Sequence, residues 1–149
     1  MSIMYITGTI ICRFLLRKIG MRKTIALAGV SSAFSGAMLC WMVYGGWATA
    51  LSLVLSMYPM IIAHGIHQPI GQSGAIGPFP QSAGAASAMN GFLMMLGAFF
   101  MGAWLGSHMD QPVFALAHGL LLWAVVITAV AWTAVQRHGK PAVVLAQPT

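Results

Sequence analysis

His64 and His67 stand three residues apart inside an apolar stretch, so one face of a helix carries both imidazoles. Two imidazoles at that spacing can share a metal ion or pass a proton. The plainer role is polar lining of a helix near Pro69, each ring hydrogen-bonded to a backbone carbonyl. A metal site needs more ligands, and Cys12 and Cys40 have no spacing that supplies them. No metal and no other cofactor is expected. His118 is a single polar residue in a later apolar stretch and is expected to face the bundle interior. Asp110 is the one acidic residue of the chain, so no pair of carboxylates can form. There is no GxSxG, no P-loop and no HExxH. No catalytic residue is assigned, and an enzyme is not expected.

The elements that hold these residues follow from composition. Charged residues make up 5% of the 149 and apolar types 59%. A soluble domain carries about 25% charge, and so few charges cannot cover a water-soluble globule. Disorder is excluded by the abundance of apolar residues. The class expected is all-α, a polytopic membrane helix bundle forming one domain over residues 1–149. Spans are expected at 2–16, 24–43, 47–76, 83–105 and 113–135, with a tail at 136–149. The first is too short to cross about 30 Å of hydrocarbon, and reads as the end of a longer span. Tyr44-Gly45-Gly46-Trp47 and Ser107–Pro112 are turns. Pro59 and Pro69 predict a kink in the third span. Gly77-Pro78-Phe79-Pro80 ends that span, and Ser82 is the expected N-cap of the next.

Four of the seven basic residues, Arg17, Lys18, Arg22 and Lys23, lie between the first two spans, Arg13 stands just before them, and Arg137 and Lys140 follow the last. The excess of Lys and Arg on cytoplasmic loops puts both places inside, with a cytoplasmic C-terminus after five crossings. The charges hug membrane edges, so nucleic acid is not an expected partner; the lipid bilayer is. Helices in lipid associate through small residues at spacing four. Ser32, Gly36 and Cys40 form one such row. Gly84, Ala88 and Gly91 form another, continued by Ala98, Gly102 and Gly106.

The segment from Arg13 to Lys23 is similar to the cytoplasmic loop between helices eight and nine of the major facilitator superfamily. Lys18, Gly20 and Arg22 match its motif, while Arg17 stands where the motif has Asp. Phe79-Pro80-Gln81-Ser82-Ala83-Gly84-Ala85-Ala86-Ser87 resembles the start of helix eleven in the Bcr/CflA drug-resistance subfamily. The resemblance implies part of the C-terminal half of a major-facilitator fold, helices eight (partial) to twelve. It implies a piece of a proton-coupled multidrug efflux transporter in the cell membrane, the inner membrane in a bacterium. Its partner would be a small drug-like molecule, exported only together with the N-terminal helices. Because helices ten and eleven line the family's cavity, Tyr58, Asn90 and Met94 are the lining candidates. The alternative is a non-transporting membrane protein that associates with a partner through its helices.

Overall fold

A computed structural model describes residues 2–139, and every regular element among them is helical. The chain is an all-α membrane helix bundle. Helix α1 spans Ser2–Tyr44, α2 Ala50–Ile76, α3 Ala83–Ser107, α4 Pro112–Trp132 and α5 Ala134–His138; a short 3-10 turn, Pro80–Ser82, leads into α3. Four helical stretches are long and apolar enough to cross a membrane: α1, α2, α3 with its 3-10 start, and α4 with α5.

Helix α1 has 43 residues, about 64 Å if straight and roughly twice the hydrocarbon thickness. It is not straight. Gly20 has φ 78° and ψ 169°, a combination essentially confined to glycine. Cys12 and Ala28 both belong to the core cluster built on Ala63, Ile66 and Ile70. An unbroken helix would hold them about 24 Å apart, so the chain folds back at Gly20 into limbs 2–19 and 21–44. The loop expected between residues 16 and 24 is absent: helix continues on both sides up to Gly20. Lys and Arg are good helix formers, so only the glycine interrupts. Arg13, Arg17, Lys18, Arg22 and Lys23 ride exposed on the two helix ends.

Limb 21–44 is the centre of the bundle. Toward α2, Ser31 Oγ donates to the Pro59 carbonyl at 3.0 Å and Ser35 Oγ to the Ser56 carbonyl at 2.5 Å. Those pairs run in opposite directions along the two chains, so the helices are antiparallel. Toward α4, the row of small residues makes the contact expected of it. A methyl built on Gly36 would lie 3.1 Å from the Leu121 Cα, and Cys40 Sγ lies 3.5 Å from the Ala117 carbonyl oxygen. Thr128 Oγ1 donates to the Gly29 carbonyl at 2.8 Å, and Trp132 Nε1 to the Ala26 carbonyl at 3.1 Å. Each interhelical hydrogen bond in a membrane bundle is worth about 0.6 kcal/mol on average, so close packing carries more of the stability. Limb 2–19 lies against α2 at Gly8 and Gly65, where backbone meets backbone.

Helix α2 starts three residues after Trp47 because Thr49 and Ser52 form a capping box: Thr49 Oγ1 accepts from Ser52 N at 3.2 Å and Ser52 Oγ from Thr49 N at 2.9 Å. The helix runs through Pro59 and Pro69 without a break and ends at Gly77. Ser82 occupies the N-cap position of α3, but its side chain makes no capping bond. Helix α4 stops at Trp132, earlier than the expected 135, and Thr133, at φ −110° and ψ −76°, joins it to α5. Helix α5 takes the last two residues of that expected span and residues 136–138 of the expected tail, whose part from 140 on lies outside the described residues. Arg22 Nε donates to the Gly139 carbonyl at 2.7 Å, and Gln136 Nε2 to the Arg22 carbonyl at 3.0 Å, which gathers the basic residues at one end of the bundle.

Helix α3 stands apart. None of its residues is buried. A methyl built on Gly84, Gly91, Gly102 or Gly106 meets no atom within 4 Å among the described residues, and Ala88 is exposed. The packing expected of these rows is therefore not made inside the described chain. Spacing-four glycines mark a flank that allows close approach; they do not choose which helix approaches it.

Candidate functional site

The polar residues of α2 fall on one stripe. His64, His67, Gln68, Gly71 and Gln72 recur at the three- and four-residue steps of a helical face. That face looks into a cavity of about 520 Å³ between α2, α3 and α4. Helix α3 supplies Asn90, Leu93, Met94 and Ala98, and α4 supplies Trp123 and Ile127. A second cavity of about 380 Å³ lies between limb 21–44, α2 and α4. His64, His67, Gly71 and Ile127 line both, so the partition is shared between α2 and α4. The larger cavity exists because α3 touches α4 mainly toward its other end. There Trp104 Nε1 donates to the Ala115 carbonyl at 3.1 Å, and Met101 packs on Gly119.

The two rings differ. His64 is exposed, with its ring 6.0 Å from that of Tyr5. His67 is half-buried, and its Nε2 is buried with no hydrogen-bond partner among the described residues. On α3, Asn90 Nδ2 reaches the Met94 Sδ at 3.8 Å, a weak thioether contact. Among the described residues no carboxylate, Lys or Arg lines either cavity. Among the described residues no three His, Cys, Asp or Glu side chains come together as a metal site would need.

Of the three lining candidates, Asn90 and Met94 line the larger cavity. Tyr58 does not: it is half-buried and lines neither cavity. It precedes His67 by nine residues, which at about 100° per residue puts it on the opposite side of α2. His118 also departs from expectation, because it is exposed near the start of α4. Its inner neighbours on α4 are the small buried Ala115, Ala117 and Gly119, which leave the ring to the outside. Its Nδ1 lies 2.8 Å from the Phe114 carbonyl and its Nε2 2.8 Å from the Tyr44 hydroxyl. A carbonyl only accepts, so Nδ1 carries the proton and Tyr44 donates to Nε2. The pair ties limb 21–44 to α4 at the end away from the basic cluster. Of the loop-motif residues, Gly20 is the fold-back point. Arg17, Lys18 and Arg22 lie exposed beside it.

Large apolar side chains cover the outside. Met95 is 69% exposed, Phe99 68% and Ile3 74%, an apolar surface that suits acyl chains and not water. Fold and surface together define a multi-pass membrane protein in contact with a lipid bilayer. No protein-family model, curated protein or solved structure matches the chain.

Proposed function

We propose that the chain contributes substrate-contacting helices of a proton-coupled exporter of small amphipathic compounds, of the major-facilitator, Bcr/CflA type, in the cell membrane with its C-terminus cytoplasmic. The observation that carries this reading is the cavity between α2, α3 and α4. Its walls are mainly apolar, with a few separated amides and imidazoles, the lining that drug-sized ligands use. Met94 and Met101 add adaptable surface. The gathered basic residues support the cytoplasmic assignment of that end. Alternating access rocks two helix groups about a central site. On this reading the chain is part of one such group, so alone it binds and does not pump.

The test uses the neutral fluorescent amine N-phenyl-1-naphthylamine and the chain in nanodiscs. Saturable tryptophan-to-dye energy transfer above that of empty nanodiscs is expected, and Ala98→Phe, which fills the cavity, is expected to weaken it about tenfold. Proteoliposomes of the chain under a proton gradient are expected to move no dye. Absence of saturable transfer, or an unchanged Ala98→Phe, overturns the reading.

A second reading has its own support in the open glycine flank of α3. On this reading the chain transports nothing and acts by pairing α3 with a partner helix. It predicts a complex of fixed stoichiometry in mild detergent that Gly91→Leu dissolves. A monodisperse monomer in every mild detergent tried counts against it.

A further inference from the structure

We infer that limb 2–19 carries a docking surface for one anionic phospholipid: an apolar stripe that takes an acyl chain and ends in a cluster of cations that takes the phosphate. The inference concerns the bilayer as a partner and stands whether or not the chain transports anything.

Three observations carry it. The first is the stripe. Ile3, Ile6, Ile10 and Phe14 recur at three- and four-residue steps, so they share one helical face, and all four are exposed. Gly8, which meets Gly65 of α2, lies on the opposite side of the limb, so the stripe faces outward. From Ile3 to Phe14 is about 16 Å of helix. One leaflet supplies about 15 Å of hydrocarbon, half of the roughly 30 Å of a bilayer, so the stripe is as long as a leaflet is deep. The second observation is what ends it. Arg17 follows Phe14 by three residues and continues the stripe, and Arg13 and Lys18 flank it within about 80° of arc. All three cations are exposed. Lys18 Nζ lies 5.6 Å from the centroid of the Phe14 ring, so the ammonium reaches back over the last apolar residue. Cations at the end of an apolar stripe complement a phosphate at the end of its acyl chains.

The third observation is the absence of countercharge. The fold-back at Gly20 brings Arg22 and Lys23 to the same end, and the bond from Arg22 Nε to the Gly139 carbonyl holds α5, with Arg137, beside them. Asp110, the one acidic residue, precedes α4, and the length of that helix, about 31 Å, separates it from the cations. No acidic side chain of the chain competes with a lipid phosphate there. Each Lys or Arg at an anionic membrane surface tightens attachment roughly fivefold. A free phosphate or a nucleic acid would meet the cations and leave the stripe uncovered; an anionic phospholipid meets both.

The test counts lipids on the full chain released from dodecylmaltoside micelles, by native mass spectrometry. Dioleoylphosphatidylglycerol and dioleoylphosphatidylcholine share their acyl chains and differ in net charge. The first phosphatidylglycerol is expected to bind about tenfold more tightly than the first phosphatidylcholine. Arg17→Gln removes the cation at the end of the stripe and should lower that preference about fivefold. Arg137→Gln removes a cation of the same end that lies on α5, away from the stripe, and should lower it less than about twofold. Glycerophosphoglycerol, the same headgroup without acyl chains, is expected not to displace the lipid at about tenfold excess. Each preference is a ratio taken on one protein, so loss of folded material cancels, and the comparison on the native chain needs no variant. Equal binding of the two lipids by the native chain overturns the inference. Equal losses in Arg17→Gln and Arg137→Gln overturn it too, since the cations would then act as a diffuse field. Displacement by glycerophosphoglycerol also overturns it, since the stripe would then contribute nothing.

Discussion

Gly65→Val leaves little folded protein. Limb 2–19 and α2 cross with Gly8 against Gly65: a methyl built on either would lie 3.1 Å from the other's Cα and closer still to a backbone carbonyl oxygen, that of Ile62 or Tyr5. Those neighbours are helix backbone, so they cannot rotate aside as a side chain would. Overpacking a core costs about 1–3 kcal/mol, more where nothing yields, and the loss here is expected at about 3 kcal/mol or above. Equilibrium unfolding in mixed dodecylmaltoside and SDS micelles measures it. Gly102→Val is the control, because the space at that position is open; its effect should stay within about 0.5 kcal/mol. Equal shifts in the two variants would refute the close crossing.

Gly20→Ala is expected to cost about 1–3 kcal/mol for a different reason. A Cβ at Gly20 meets nothing within 4 Å among the described residues, so space there is not at issue. The strain lies in the backbone, at φ 78° and ψ 169°. Asn at this position fares no better, since its left-handed region is centred near ψ 47°. Alanine also favours the competing conformation, in which α1 runs straight. Spin labels at the exposed Ile6 and Phe34 distinguish the two states. Folded back, they lie about 20 Å apart, one interhelical distance plus the label arms; straight, the 28 intervening steps give about 42 Å. Double electron–electron resonance should show the short distance in the native chain and a new long population in Gly20→Ala. A single short distance in both would refute the role of Gly20.

The fold was largely legible from composition, because a chain with one acidic residue and four long apolar runs has few ways to satisfy its backbone outside a membrane bundle. Turn residues placed most helix ends to within three positions. The fold-back was harder to read. Charge between residues 13 and 23 suggests a loop, yet the same side chains extend helices, and only the single Gly20 carries the reversal. Contacts were legible where a glycine row meets another small-residue row, as Gly36 meets Ala124. They were not legible on α3, whose glycines look the same in sequence and face open space. Half of the site was present in the pattern: Asn90 and Met94 reach the cavity, while Tyr58 is half a circle away from His67 on α2. The stripe from His64 to Gln72 carried a periodic signal for Gln68 and Gln72. Trp123 had none, since one tryptophan among apolar neighbours does not reveal which way it points.

Helix α3 contributes no buried residue, and the buried core is complete without it. Folding can therefore finish in two unequal stages: the fold-back, α2 and α4 lock together first, and α3 docks afterwards as a separable unit. Docking free energy then comes from a few contacts near Trp104, so undocking is among the cheapest excursions open to the native ensemble. Since α3 is one wall of the larger cavity, that excursion opens the cavity to the surrounding acyl chains while the rest of the bundle stays intact, and how long it stays open is set by the lifetime of a single helix away from its berth.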